Sequence, residues 1–379
     1  MMLSAIRFSN FRNHGATALE FGGGVNALFG ANGEGKTNVL EAVSYLSLTK
    51  SFYASGDADA LQIGKETFEI EGTMVSDLRV ASQVAVRYQH IPSPAKSVRV
   101  NGTPTERLSS LIGMFPVVVL SPENNGITFG PPAERRKFVD LTLSQVSRAY
   151  LEDVLEYRRT LRQRNRLLAD ARIRGRMPDA ELLEPWTLGL AQYGGRIAHR
   201  RRLFAEEFRS YMHNAYRDVA AGGEEPEMVY RCGFPADRAD GAEAMSACMM
   251  TALEQGRNEE IKRGITLSGP HRDELALTLN GMSVQRFASQ GQHKTFLVAL
   301  KVAEFFYVRE RRGEIPLFLL DDVFSELDAR RAQRILAMAA DVGQCMITAT
   351  DDAIFRTTLQ WGDTHRRFTV ERGTCTRAA

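Results

Sequence analysis

The residues with the most evident chemistry form a glycine-rich stretch near the N-terminus. The stretch fits the phosphate-binding pattern G-x-x-x-x-G-K-[ST] at every fixed position. Its residues are Gly30, Ala31, Asn32, Gly33, Glu34, Gly35, Lys36 and Thr37. A triphosphate needs several backbone N–H donors curled around it, and glycine lets the chain turn tightly and approach closely. Lys36 would reach the β and γ phosphates, and Thr37 would offer its hydroxyl to Mg²⁺.

The segments on either side of this loop supply the context that such a loop needs. Residues 25–29 are apolar enough for a short buried strand, and residues 38–46 have helical apolar spacing. A helix that starts at the loop aims its N-terminal dipole at the anion. We therefore predict a strand, loop and helix that bind a nucleotide, rather than an incidental glycine-rich turn.

A second pair of chemical residues follows an apolar run late in the chain. Residues 317–320 are all apolar and are followed by Asp321 and Asp322. A dry strand of this kind would deliver Asp321 to a metal ion, while Asp322 could orient or activate an attacking water. A buried strand with a polar exit is the alternative, and the phosphate loop in the same chain favours the Walker B interpretation.

Length, charge and cysteines limit the class of protein. A chain of 379 residues predicts two domains, or one domain with a large insertion. With 48 Lys and Arg against 46 Asp and Glu, a nucleic-acid partner must meet a local basic face. The four cysteines show no metal-ligand spacing, and no apolar run reaches the ~18 residues that span a bilayer. The pattern predicts a cytoplasmic protein with no membrane partner.

Secondary-structure patterns divide the chain into three parts. Alternating or continuous apolar runs predict strands at both ends, while helical spacing dominates from about 134 to 255. The predicted strands are 3–8, 16–21, 25–29, 68–75, 80–88, 96–100, 116–120, 274–279, 316–320 and 344–350.

The most evident clusters of basic residues lie in the helical middle. They are Arg135, Arg136, Lys137, Arg158, Arg159, Arg162, Arg164, Arg166 and the run His199–Arg202. These side chains could form an ordinary solvated face with the interspersed acids, or they could grip a phosphate backbone.

The segment Ser289, Gln290, Gly291 and Gln292 lies just upstream of the presumed Walker B strand. In the ATP-binding-cassette superfamily a serine-glycine signature at this place contacts the γ phosphate held by another subunit. With it, the sequence resembles the RecF family of bacterial recombination mediators, whose ATPase heads are related to those of SMC-type proteins. The resemblance rests on residues 30–37, 121–123, 130–140, 161–165, 268–273, 289–292 and 319–328.

The resemblance implies an α/β fold, a P-loop ATPase head of the ABC and SMC type with mixed sheets. The head would comprise residues 1–133 and 262–379, and a mainly α-helical arm would comprise residues 134–261. It also implies that Asp321 and Thr37 hold Mg²⁺ and that Asp322, Lys36 and Ser289 serve catalysis. Residues Ser289, Gly291 and Gln292 would complete the ATP site across a homodimer.

For function, the resemblance implies a DNA replication and repair ATPase. The ATP-dependent homodimer would clamp double-stranded DNA, and slow, Mg²⁺-dependent, DNA-stimulated hydrolysis would release it. Such proteins work with RecR and RecO to load recombinase at gapped or junction DNA. The alternatives are a transporter-type ATP-binding subunit, which would need a membrane partner, and a nucleotide-gated DNA-binding module with negligible turnover.

The sequence also departs from transporter-type ATPases at two places. The usual switch histidine is replaced in the segment Thr348–Asp351, and the usual glutamine is replaced near Glu123. We assign no metal role to Glu123 and no water-polarising role to Thr350. His271 and Arg272 either contact the nucleotide or staple their loop.

Overall fold

The computed structural model describes residues 1–53, 56–175, 177, 179–220, 222–324 and 329–378. The chain divides into two compact units. The first unit comprises 1–125, 214–223 and 290–379, and the second comprises 126–213 and 224–289. These bounds differ from the predicted lobes, which placed residues from 262 onward in the head. Residues 274–279 join the second unit because they pair with a strand at 226–231.

The first unit contains two six-stranded sheets. Its strands are β1 (Met2–Phe11), β2 (His14–Glu20), β3 (Val25–Phe29), β4 (Thr67–Val75), β5 (Ala81–Gln89), β6 (Ala95–Val100), β7 (Thr103–Pro104), β8 (Val117–Leu120), β12 (Leu317–Leu320), β13 (Cys345–Ala349), β14 (Arg366–Glu371) and β15 (Thr374–Arg377). Its helices are α1 (Lys36–Leu48), α8 (Gln290–Arg312), α9 (Ala329–Asp341) and α10 (Ala353–Thr358), with the end of α5 (Ala180–Ala220).

The first sheet is antiparallel, in the order β2-β1-β4-β5-β6-β7. Its strands alternate buried apolar and exposed polar residues, as a sheet covered on one face requires. On the covered face Phe11 meets Tyr45 of α1 and Phe68 edge to face, with ring centroids 5.7 and 5.3 Å away. The aromatic cluster thus packs the sheet against α1 and fixes the helix that follows the phosphate loop.

The second sheet positions the candidate site. Its order is β15-β14-β3-β13-β12-β8, and all neighbours are parallel except β15. The strands β8, β12 and β13 are buried along their whole length, which matches the continuous apolar runs of β8 and β12 and the mostly apolar sequence of β13. In the register, Ile347 of β13 lies between Ala27 of β3 and Leu320 of β12. The carboxyl ends of these three strands therefore meet at one edge, where ligands bind in open α/β sheets.

The second unit is mainly helical, as the sequence predicts for this region. Its helices are α2 (Asn125–Phe129), α3 (Pro132–Val146), α4 (Arg148–Arg174), most of α5, α6 (Gly241–Arg263) and α7 (Val284–Phe287). Its strands are β9 (Pro226–Arg231), β10 (Glu274–Leu279) and β11 (Met282–Ser283), which form a three-stranded sheet. Ser147 caps α4 by accepting a hydrogen bond from Tyr150 N, and Gly175 ends that helix at a φ of 62°. Within the described residues, no helix is both long and apolar enough to cross a bilayer.

Candidate nucleotide-binding site

The phosphate loop depends on two glycines with left-handed backbone. Gly33 has a φ of 86° and Gly35 a φ of 108°, a region that residues with a Cβ rarely adopt. A Cβ on Gly35 would also lie 2.5 Å from Asn13 Oδ1 and 2.7 Å from His14 Nε2. Alanine at position 35 is thus disfavoured by both backbone conformation and space.

Two neighbouring turns hold the loop from outside. Asn13 Nδ2 donates to the Glu34 carbonyl at 3.0 Å, and Gly373 N donates to the same carbonyl at 2.9 Å. The buried His14 ring bonds the Gly35 carbonyl through Nε2 at 3.0 Å and Thr17 Oγ1 through Nδ1 at 3.0 Å. Burial lowers the pKa of His14, so the neutral ring donates from Nε2 to the carbonyl and accepts at Nδ1 from the hydroxyl. These hydrogen bonds therefore hold the backbone of the phosphate loop in place from outside the loop.

Lys36 is folded back over the loop that it follows. Its Nζ donates to the carbonyls of Gly30 at 2.6 Å and Ala31 at 2.8 Å, and the residue is only 8% exposed. Burial lowers the pKa of Lys36, while the nearby carboxylates of Asp322 and Asp321 oppose this shift. The ammonium is thus held at the loop, where a phosphate would lie.

Asp321 accepts hydrogen bonds from two hydroxyl groups on different elements. Thr37 Oγ1 of α1 lies 2.8 Å from Asp321 Oδ1 and 3.1 Å from Oδ2, and Thr348 Oγ1 at the end of β13 donates to Oδ1 at 2.8 Å. Burial raises the pKa of Asp321, and the hydrogen bonds from Thr348 and Thr37 counteract that rise.

The donor set around Asp321 fits Mg²⁺. A carboxylate and a hydroxyl oxygen side by side are hard ligands, and Mg²⁺ is usually held by one or two carboxylates with substrate phosphates and waters. No cluster of three or more His, Cys, Asp or Glu side chains suited to a metal occurs among the described residues. The pair Thr37 and Asp321 would therefore hold the ion only together with phosphate and water oxygens.

Asp322 faces the same space with an unusual backbone conformation. Its φ is 50°, and its amide donates to Thr348 Oγ1 at 2.8 Å. A cleft of about 150 Å³ is lined by Asn32, Gly33, Gly35, Lys36, Thr37, Asn38, Asp322 and Thr348. The structure therefore brings together the phosphate loop, the presumed metal carboxylate and the presumed water-orienting carboxylate.

The signature-like residues lie elsewhere. Ser289 is exposed and is the last residue of the second unit, while Gly291 and Gln292 lie in the first turn of α8. None of the three lines the cleft around Lys36. Their contribution to the nucleotide site of a second chain stays a prediction. Residues 325–328, which belong to the segment 319–328 that carries part of the RecF resemblance, lie outside the described residues.

The residues for which the sequence left alternatives occupy separate places. Glu123 lies in a short 3₁₀ turn after β8, and Thr350 lines a neighbouring cleft of about 390 Å³ that also reaches Asp322. His271 Nδ1 bonds Tyr157 Oη at 2.6 Å, and Nε2 bonds the Thr266 carbonyl at 3.2 Å. Burial lowers the pKa of His271 to about 4, so the ring is neutral. Both of its nitrogens form hydrogen bonds that hold the loop. Arg272 is exposed.

The basic residues of the helical unit separate into buried and exposed groups. Arg164 is 1% exposed and pairs with Glu260 at 2.7 Å. Arg201 pairs with Asp140 and Asp273, each at 2.7 Å, and Arg135 pairs with Glu274 at 2.8 Å. These guanidinium groups are satisfied inside the unit, so they are not available to a phosphate backbone. By contrast, Arg158, Arg162 and Arg166 are exposed along α4.

Several supporting residues were not identified from the sequence. Asn13 and His14, at the junction of β1 and β2, brace the loop. Arg12, with a φ of 55°, donates to both oxygens of the fully buried Glu41 at 2.9 and 2.8 Å. A polar residue inside the apolar spacing of α1 was the one signal for Glu41, and nothing local pointed to its partner. Thr348 was noted only as part of the segment that lacks the switch histidine, at the end of a predicted strand, and no role was assigned to it.

The fold and the cleft define a P-loop ATPase head of the ABC and SMC type. The family model described as RecF/RecN/SMC N terminal domain matches residues 2–375. Solved SMC heads share this fold, for example one from Pyrococcus furiosus bound to the C-terminal domain of ScpA, with a TM-score of 0.57 at 14% identity over 99% of this chain and 95% of that one.

Within that class the chain belongs to the RecF family. It is 42% identical over 354 residues to the DNA replication and repair protein RecF of Chloroherpeton thalassium, covering 93% of this chain and 95% of the relative. It is also 42% identical over 378 residues to RecF of Salinibacter ruber, covering 98% and 91%. A solved structure of the recombination mediator protein RecF-ATP in the RecFOR pathway superposes with a TM-score of 0.90 at 30% identity, covering 100% of this chain and 97% of that one.

Proposed function

We propose that this chain is a DNA replication and repair ATPase that binds ATP and Mg²⁺ and then dimerises head to head. The dimer binds double-stranded DNA near single-strand gaps or junctions and helps to load recombinase with RecO and RecR. Slow, DNA-stimulated hydrolysis resets the clamp. The observation that carries the proposal is one cleft, in a RecF-family chain, that Lys36, Thr37 and Asp322 line, with Asp321 hydrogen-bonded to Thr37. A cytoplasmic location belongs to the proposal, since all four cysteines are free thiols.

The roles of the residues follow from their positions. The loop residues 30–37 would bind the phosphates through backbone N–H groups and the Lys36 ammonium. Thr37 and Asp321 would hold Mg²⁺, which when bound neutralises charge on the transferred phosphoryl group. Asp322 would orient water in the cleft. Family membership argues against the transporter-type alternative, and the module with negligible turnover remains an outcome of the test.

The deciding experiment measures ATP hydrolysis with and without duplex DNA, for the parent protein and for Asp322→Asn. The proposal expects slow turnover that rises with DNA in the parent and falls strongly in the variant. Equal background rates in both proteins, together with ATP-dependent DNA binding, would instead establish the nucleotide-gated module.

We expect Ser289→Arg to retain ATP binding and lose ATP-dependent dimerisation. Ser289 is exposed and does not line the cleft around Lys36, so we expect the variant to bind ATP in its own cleft. The long cationic side chain would obstruct the γ phosphate site of the partner. Sedimentation velocity with and without ATP checks the result, and a variant that dimerised normally would refute the trans arrangement.

The control for this variant is Ser93→Arg. Ser93 is also exposed, on the connection between β5 and β6. The Ser93→Arg variant has the same change of side-chain size and charge as Ser289→Arg, and it should dimerise with ATP as the parent does.

For DNA, the exposed arginines of α4 are the candidate contacts. Arg158, Arg162 and Arg166 repeat every four residues and so follow one side of the helix. Arg158 is paired with Asp140 at 3.2 Å, although its side chain is 59% exposed. Like charges at this spacing destabilise a helix, and a polyanion alongside would offset that repulsion.

We expect the double variant Arg162→Gln with Arg166→Gln to bind duplex DNA more weakly and with a smaller salt dependence. Each lost phosphate contact reduces the slope of log affinity against log salt by about 0.9 for duplex DNA. Fluorescence anisotropy of a labelled duplex across a salt series measures the slope. Arg263→Gln is the matched control, since that side chain is 60% exposed and paired with Glu259 at 2.6 Å. A slope unchanged in the double variant would place the DNA elsewhere.

A further inference from the structure

One buried hydroxyl connects both carboxylate residues of the candidate site. Thr348 is 1% exposed, and its Oγ1 donates to Asp321 Oδ1 at 2.8 Å. The same oxygen accepts the backbone N–H of Asp322 at 2.8 Å. A hydroxyl has one donor and two acceptor positions, so this group serves the side chain of one residue and the backbone of the next.

The sheet register places Thr348 at this junction. β13 lies between β3, which leads into the phosphate loop, and β12, which leads into Asp321. Leu320 pairs with Ile347, so the next residue on each strand is Asp321 and Thr348. The β-branched side chain has few rotamers, so the hydroxyl position follows from the strand itself. A rigid central strand therefore fixes the hydroxyl that touches both acidic residues.

Each of the two contacts controls a different property. Asp321 Oδ1 accepts hydrogen bonds from the hydroxyls of Thr37 and Thr348. These two donors, on different elements, fix the orientation of the carboxylate. Asp322 has a φ of 50°, a conformation that a non-glycine residue keeps only where its surroundings impose it. The hydrogen bond from its amide to Thr348 is one such constraint, and Asp322 consequently faces the cleft next to Lys36.

We infer that Thr348 is a positioning residue, which orients Asp321 toward the metal position and holds Asp322 in the conformation that faces the nucleotide cleft. The inference rests on the proposed function, because it assigns Thr348 to the same site. In this role Thr348 acts through its two hydrogen-bonded neighbours. A purely structural role, in which the hydroxyl only satisfies buried polar groups, predicts changes in stability alone.

The test compares Thr348→Val, which keeps the shape and removes the hydroxyl, with Thr348→Ser, which keeps the hydroxyl. We expect Thr348→Val to lower kcat about tenfold or more with KM for ATP changed less than about threefold, since binding by the loop is retained. Mn²⁺ affinity, measured by electron paramagnetic resonance in the presence of a non-hydrolysable ATP analogue, should fall in the same variant. Thr348→Ser should restore both properties to within about threefold of the parent.

Thermal unfolding and a control variant separate positioning from folding. Thr142→Val removes another buried hydroxyl, one that donates to the Phe138 carbonyl within α3, and should change neither kcat nor Mn²⁺ affinity. If Thr348→Val does not fold, Thr348→Ala against Thr348→Ser gives the same comparison of one hydroxyl. Parent-like Mn²⁺ affinity in the variants without the hydroxyl overturns the inference. A parent protein that binds Mn²⁺ and nucleotide without hydrolysing ATP refutes the proposed turnover, while the Mn²⁺ comparison still decides the role of Thr348.

Discussion

Lys36→Met is expected to reduce ATP binding at least about 100-fold, because it removes a charged donor worth roughly 3 kcal/mol from a buried position. In the structure the ammonium is held over the loop by the carbonyls of Gly30 and Ala31, at 2.6 and 2.8 Å. Methionine has a similar length and no charge, so it fills the same volume without attracting phosphate. Titration with a fluorescent ATP analogue measures the loss.

A control keeps this result specific to the site. Lys65→Met changes an exposed lysine on the connection before β4 and should bind ATP like the parent. Thermal unfolding of both variants shows whether the fold is retained. Binding of ATP by folded Lys36→Met within a few-fold of the parent would mean that the nucleotide is held elsewhere.

Asp322→Asn is expected to lower turnover about 100- to 1,000-fold while ATP binding and ATP-dependent dimerisation persist, since a positioned acid–base group contributes on this scale. Asparagine preserves the shape and tolerates a positive φ, so the backbone at 50° and its bond to Thr348 are kept. Only the negative charge beside the cleft is lost.

Single-turnover phosphate release and sedimentation with ATP measure the two properties separately. Asp363→Asn removes an exposed carboxylate outside the cleft and should hydrolyse ATP as the parent does. If Asp322→Asn hydrolysed ATP at the parent rate, the water-orienting role would pass to another group. Loss of ATP binding in the variant would instead show that Asp322 acts on the nucleotide itself.

Much of the fold was predictable because its signals are local. The apolar runs that became β8 and β12 are continuous, as expected for strands covered on both faces, and β3 and β13 are each interrupted by a single polar residue. The predicted α/β class with mixed sheets and a long helical segment is confirmed by the structure and by its similarity to RecF. Five strands were not predicted. β7 and β11 are only two residues long, β9 lies inside a region of helical spacing, and β14 and β15 are short and polar.

The exposure of individual arginines on α4 could not be predicted from the sequence. In sequence, Arg162 and Arg164 are equivalent members of one arginine-rich stretch. In the structure Arg164 is buried against Glu260, 96 residues away, whereas Arg162 is exposed on α4. Two positions on a helix point to different sides, and the partner of a buried charge comes from a distant segment. Sequence spacing could not decide which arginine meets solvent.

The sequence by itself determined the chemistry of two parts of the site, the phosphate loop and the strand that ends in Asp321. The order of glycines around Lys36 and Thr37 specifies a phosphate loop because turn geometry and backbone donors depend on adjacent residues. The apolar run before Asp321 likewise specifies a strand that ends in carboxylates. Only the tertiary structure decided that Thr37, Thr348 and Asp321 share hydrogen bonds and that Asn13 and His14 brace the loop. Those contacts depend on sheet order and register, which bring together segments that are far apart in the chain.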